Sequence, residues 1–318
     1  MEAYMNETIT KPTEEQKTTT EAQKKANKKR KRRFGDRPEG RRLRTISPMT
    51  MVEPFIMPDR NDALNMFAST LDITACEAFL KEQKKAGYIN MGMLHVFLAA
   101  YVRAVSQRPA LNRFIAGQRI YARNNIEVVM TIKKEMSLDS PDTVVKCYFE
   151  PTDTIYDVYE KFNRIVEENT NLDASNDMDK TAKILTYLPR FLLRFFVWVL
   201  RTLDYYGLMP KFFLKVSPFH GSFIITSMGS LGIPPIFHHI YNFGTLPIFL
   251  SYGAKYKKNE IEDDGEVVRR SYMDITVVTD ERICEGFYYA GAFRMMTRFI
   301  KNPQVLTTPP EKVIEDID

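Results

Sequence analysis

The apolar positions of the chain fall into two rhythms, and they meet at one charged connection. From 266 to 279 β-branched residues alternate in part with polar ones, the pattern of a strand. Directly afterwards Phe287, Ala290, Phe293, Met296 and Ile300 recur at about 3.6-residue spacing, so an amphipathic helix is expected over 287–300. Asp280 to Gly286, DERICEG, is the link between them, and links held at the surface by a rigid scaffold often carry chemistry.

The same reading predicts helices near 73–86, 91–107, 154–168 and 183–203. Strands are expected near 63–71, 118–122, 126–134, 143–149, 222–228 and 246–254. Helices and strands interleave, yet three strands follow one another directly. That order implies an α/β (α+β) fold with a mixed sheet and its helices packed on one side.

The stretch 184–214 raises the question of a membrane. Pro189, Arg190, Arg194 and Arg201 interrupt its apolar run, so it falls short of the roughly 20 consecutive apolar residues a spanning helix needs. The three arginines share one helix face, while Phe191, Leu192, Phe195, Phe196, Trp198 and Val199 occupy the other. Such a helix packs on its own domain, packs on another subunit, or lies in a membrane interface.

Composition divides the chain. Residues 1–45 hold 14 Lys and Arg against 7 Asp and Glu, whereas the remainder holds 31 against 33. The first 45 residues also have almost no large apolar side chains before Phe34, so a disordered basic tail is expected there, ahead of one domain over 46–318. Its cluster Lys28–Arg33 is either a solvated linker or an attraction for a membrane surface or another polyanion. No apolar segment of signal-peptide type follows the N-terminus. Cys76, Cys147 and Cys284 are odd in number and lack CxxC spacing, which argues against a disulfide framework or zinc site and for a reducing cytoplasm.

The connection Asp280–Gly286 resembles the DHRxxDG box of the catalytic domain in dihydrolipoamide acyltransferase subunits of 2-oxo acid dehydrogenase complexes. It is similar also to the HHxxxDG box of chloramphenicol acetyltransferase. Asp280, Arg282 and Gly286 match, and Cys284 falls where chloramphenicol acetyltransferase also has Cys; Glu281 stands at the histidine and Glu285 at the aspartate. In the same order, 89–121 resembles the family's long helix and "hPxLN" turn. GSFIITSMGSLG (221–232) resembles its "TFTISNLG" strand, 245–254 the following core strand, and KNPQVL (301–306) the terminal close. The resemblance spans 47–306.

It implies a two-layer sandwich of the chloramphenicol acetyltransferase type, a homotrimer with sites between subunits, and coenzyme A or an acyl-coenzyme A as cofactor. It also implies a small-molecule acyl donor or acceptor. Only the basic tail precedes Thr45, so no lipoyl attachment is expected in this chain and a stand-alone protein is implied. The family's histidine is a general base on a thiol or hydroxyl, and a hydroxyl on the "TISNLG" strand, here Thr226 or Ser227, stabilises the oxyanion. Glutamate begins about two pKa units below histidine, so Glu281 is a weak substitute, and its charge opposes a forming oxyanion. Glu285 retains the reach for an arginine pair that holds the loop, and Glu281, unless protonated, would pair with Arg282 or another cation. His238 and His239, after the presumed oxyanion strand, are the residues able to supply a missing base, and as sequence neighbours they suit a metal poorly.

Three readings follow: an acyltransferase-family protein that has lost or altered standard transfer, an active transferase using Glu281 or a histidine, and a scaffold on a membrane or polyanion.

Overall fold

The computed structural model describes residues 32–133, 142–170 and 187–318. In chain order their strands and longer helices are β1 (Gly40–Arg42), α1 (Pro48–Ile56), β2 (Leu64–Asp72), α2 (Thr74–Lys85), α3 (Met93–Gln107), β3 (Arg113–Ala116), β4 (Arg119–Arg123), β5 (Ile126–Lys133) and β6 (Asp142–Phe149). There follow α4 (Ile155–Thr170), α5 (Arg190–Tyr205), α6 (Lys211–Val216), β7 (Phe223–Ser227), β8 (Ile248–Ile261), β9 (Val267–Asp280) and α7 (Gly286–Lys301).

Six strands form one sheet in the order β2-β9-β8-β7-β5-β6. β7 runs parallel to both β5 and β8, and the other pairs are antiparallel, so the sheet is mixed as the sequence implies. The period of two then assigns faces. On β7 and β8, Phe223, Ile225, Ile248 and Leu250 join Met273, Ile275 and Val277 of β9 in the main core. Against them pack Phe79 and Leu80 of α2, the almost wholly buried α3, Ile155 and Val158 of α4, and Met296 and Ile300 of α7. The intervening residues Ile224, Phe249 and Val278 face the other way, where Ile240 and Leu246 cover them. The helices named therefore lie on one side, in the two-layer arrangement.

Several local features escaped the pattern reading. α1 begins at Ser47, whose hydroxyl accepts from the Thr50 amide, with Pro48 at the first helical position. Strand 118–122 belongs to a separate three-stranded sheet, β1-β4-β3, rather than to the main one. That pairing moves the start of the fold ahead of residue 46. Gly40, Arg41 and Arg42 pair with Arg123, Ala122 and Tyr121, and Arg37 is buried between Glu39 (2.6 Å) and Asp204. A basic segment is ordered here because acids meet its charges; residues 1–31, with Lys28 to Lys31 of the basic cluster, lie outside the described residues. So do 183–186, the expected beginning of the helix seen at α5.

β8 is reached through one tight approach. The amides of Thr245 and Leu246 both donate to the Phe219 carbonyl, at 2.8 and 3.3 Å, and Gly244 before them has φ of +90°. A Cβ there would stand 2.1 Å from that carbonyl oxygen. Gly244→Ala is expected to lower stability by about 2–4 kcal/mol, from steric conflict and left-handed strain together, read as a lower midpoint in denaturant with an unchanged m-value.

Candidate functional site

The link between β9 and α7 is organised by its first and third residues. Asp280 and Arg282 are 1% and 2% exposed. Arg282 holds Asp280 through two hydrogen bonds of 2.8 Å, one to each carboxylate oxygen, and Arg60 adds a third at 3.1 Å. The other guanidinium hydrogens are taken by carbonyls: Met57 and Pro58 for Arg282, Tyr241 and Gly244 for Arg60. Tyr289, one turn into α7, donates to the Asp280 carbonyl at 3.0 Å. Four separate segments are thus fixed to one carboxylate.

This corrects the pairing expected for Arg282. Glu285 is exposed at the N-cap of α7, and Arg282 bonds Asp280 instead, because a buried guanidinium takes the buried carboxylate next to it. Glu281 lies between, half-buried, its amide bonded to the Ala63 carbonyl and its carboxylate accepting from Asn65 at 2.9 Å. Glu53 of α1 comes close enough that burial first, then the charges of Glu281 and Glu285, push its carboxyl above the ordinary carboxylate range. The surroundings of Glu281 are therefore acidic. Cys284, in the same link, is buried, and burial pushes its thiol up to about 12, too high for a nucleophile at neutral pH.

The hydroxyl candidates sit elsewhere on the sheet. Thr226 pairs with Ser251, which pairs with Thr276, so Glu281 lies two strands across and five residues along. At strand spacings of about 4.8 Å and rises of about 3.3 Å per residue, that is roughly 19 Å between Cα atoms. By alternation Ser227 faces the helices and Thr226 the opposite side. Ser227 contributes to a cleft of about 660 Å³ between α2 and β8, lined also by Tyr252, Met91 and the lysines 81, 84 and 255. Lys255 is bonded to Glu77 at 2.6 Å.

His238 stacks on Phe249, ring centroids 4.3 Å apart, on the face away from the helices. Its Nε2 is buried without a hydrogen-bond partner, and burial first, then His239, lowers its pKa. His239 is exposed, edge-on to Tyr241 at 5.1 Å. Neither ring contacts Glu281 among the contacts of the described residues. No group of three or more His, Cys, Asp or Glu among those residues could hold a metal. Glu53, Arg60 and Asn65 were missed in the sequence because nothing in MVEPFIMPDRNDALN marks them; their partners lie 181 or more residues later.

Comparison with solved structures settles the architecture. A probable dihydrolipoamide acetyltransferase from Listeria monocytogenes 4b F2365 superposes with a TM-score of 0.52 at 16% identity, over 81% of this chain and 94% of that one. The cubic core of a pyruvate dehydrogenase multienzyme complex gives 0.50 at 14% identity, over 81% and 88%. The fold is that of a dihydrolipoamide acetyltransferase core. A chloramphenicol acetyltransferase gives 0.49 at 13%, over 81% and 100%. No protein-family model matches the chain, and no curated protein does. At these identities the acetyltransferase likeness is one of fold.

Two outcomes test the link. Asp280→Asn leaves two buried guanidinium groups without their anion and is expected to lower stability by about 3–5 kcal/mol, while Glu285→Gln stays within about 0.5 kcal/mol; urea denaturation of both distinguishes the two possible partners of Arg282. Glu53 is penalised in its ionised form, so the penalty is present above its folded-state pKa and disappears well below the ordinary value of 4.5. Glu53→Gln is therefore expected to raise the melting temperature by about 1 °C at pH 7 and to leave it unchanged in acid, since the site is mostly exposed.

Proposed function

We propose that this chain is an acyltransferase-fold protein that binds coenzyme A or an acyl-coenzyme A, and in which Glu281 has replaced the proton-abstracting histidine, so that standard acyl transfer is lost. The observation that carries this reading is the acidic neighbourhood of position 281. Glu281 is engaged by Asn65 and accompanied by Glu53 and Glu285, so an oxyanion forming beside it meets negative charge instead of donors.

The cleft at Ser227 supports the ligand class. Its apolar walls and three lysines, Lys81, Lys84 and Lys255, fit a thioester carrier with a slender arm and a phosphate-bearing head. A homotrimer is part of the proposal. Met49, Val52, Phe55 and Ile56 of α1, beside the link, and Ile233, Ile236 and Phe237, beside Thr226, are all exposed apolar residues. A partner subunit covering them would also bring its own Thr226 to the Glu281 of this one. Three buried, unpaired thiols fit a reducing cytoplasm.

A second reading keeps catalysis, with His238 as base, and is favoured by its buried, unpartnered Nε2 on the side of the sheet that Thr226 faces.

Purified protein given acetyl-coenzyme A and a panel of thiols, amines and alcohols is expected to bind the cofactor by calorimetry and show no turnover. Binding is expected to weaken on Lys84→Glu. Glu281→His is expected to gain turnover. Robust activity in the unaltered protein would overturn the proposal, and its loss on Glu281→Gln or on His238→Gln would name the base. Absence of cofactor binding would remove the ligand assignment while leaving the fold untouched.

A further inference from the structure

Among the described residues, helix α5 buries only Asp204 and leaves large apolar side chains exposed. Phe191, Phe195 and Trp198 are 71%, 61% and 60% exposed, although Leu193, Phe196 and Leu200 on the other flank are partly buried, Phe196 against Phe213. At 100° per residue the three aromatic residues fall within about 60° of one another, and Arg190, Arg194 and Arg201 within about 40° of arc beside them. The exposed apolar surface continues past the helix through Leu208 and Phe212, again among cations, Lys211 and Lys215. Apolar patches of this kind mark interaction surfaces.

The acid of the helix decides its charge. Asp204 is the only acidic residue of α5, and it is buried, bonded to Arg37 and 3.3 Å from His220. The exposed side therefore offers aromatic rings and positive charge and no carboxylate of its own. A second copy meeting this face across a two-fold axis would set the arginine row against itself. A bilayer with anionic headgroups accepts both features at once, the rings at the acyl boundary and the guanidinium groups reaching up to phosphates. The 16-residue helix is about 24 Å long, and no helix of the described residues is long and apolar enough to cross a membrane, so α5 lies in the surface plane.

We infer that α5 is a docking element for anionic membrane surfaces, seated through Phe191, Phe195 and Trp198 and held by Arg190, Arg194 and Arg201. The inference is independent of the acyl-transfer reading, since α5 contributes nothing to the link at Asp280 or to the Ser227 cleft.

Trp198 is the only tryptophan of the chain, so its emission reports on this face alone. The full chain is titrated with vesicles of equal parts phosphatidylglycerol and phosphatidylcholine. The expected result is a blue shift of Trp198 emission, quenching by brominated acyl chains, and little change with phosphatidylcholine alone. Replacing Arg190, Arg194 and Arg201 by Gln is expected to weaken vesicle affinity about tenfold or more, on the scale of single basic residues at anionic surfaces. Phe191→Ser with Phe195→Ser is expected to abolish quenching while the circular dichroism spectrum is kept. Failure of brominated lipid to quench the unaltered protein would overturn the inference, whether vesicles then stay unbound or bind through the N-terminal lysines and arginines alone. So would an emission already blue-shifted without vesicles that moves red on dilution, because a second copy would then cover the face. Both decisive readings come from the unaltered chain, so a misfolding variant leaves the test intact.

Discussion

One carboxylate, Asp280, holds the end of β9 to the segments around it. Two guanidinium groups close on it from different segments, and both are buried to within a few per cent. Burying three charges is unfavourable unless every donor finds an acceptor, and here the carbonyls of Met57, Pro58, Tyr241 and Gly244 take the surplus. Such a cluster contributes more to uniqueness than to net stability: displacing any of the contributing segments strands a charge. It also explains why Gly244 has to be glycine, since the same carbonyl that receives Arg60 belongs to the residue pressed against Phe219.

The cluster frees the second residue of the link from structural duty. With Asp280 and Arg282 satisfying each other, Glu281 contributes its amide to Ala63 and leaves its side chain half-exposed toward Asn65. A side chain in that position is set by what the site must bind or repel, not by what the fold requires. A glutamate there, near two further acids, favours cations or neutral dipoles over developing anions.

What the sequence made legible follows from which forces are local. Strand β9 could be read because its β-branched residues alternate in part with polar ones, and α3 because its apolar residues run unbroken around the helix. The link itself was visible as a short charged interval between two clear periodicities. The partner of Arg282 was not: Asp280 and Glu285 are both a few residues away in sequence, and only the depth of each decides which is paired. The start of the fold was misplaced for a related reason. Arg37, Arg41 and Arg42 look like part of a solvated basic tail until Asp204, the Ile317 carbonyl and β4 receive them from elsewhere in the chain. Long-range polar pairing leaves no periodic trace.

The distance across the sheet carries the last step. Thr226 and Glu281 lie on strands separated by β8 and displaced along it, roughly 19 Å apart on ordinary sheet dimensions. A sheet is too stiff to fold that gap shut, and the alternation that turns Thr226 away from the helices turns it also from the Ser227 cleft. Any chemistry using a hydroxyl from β7 and the side chain at 281 must therefore take them from two copies of the chain. In that arrangement the exposed apolar residues of α1 and of 233–237 are the surfaces that would set the two halves against each other. A monomer would keep the scaffold and hold the two groups apart.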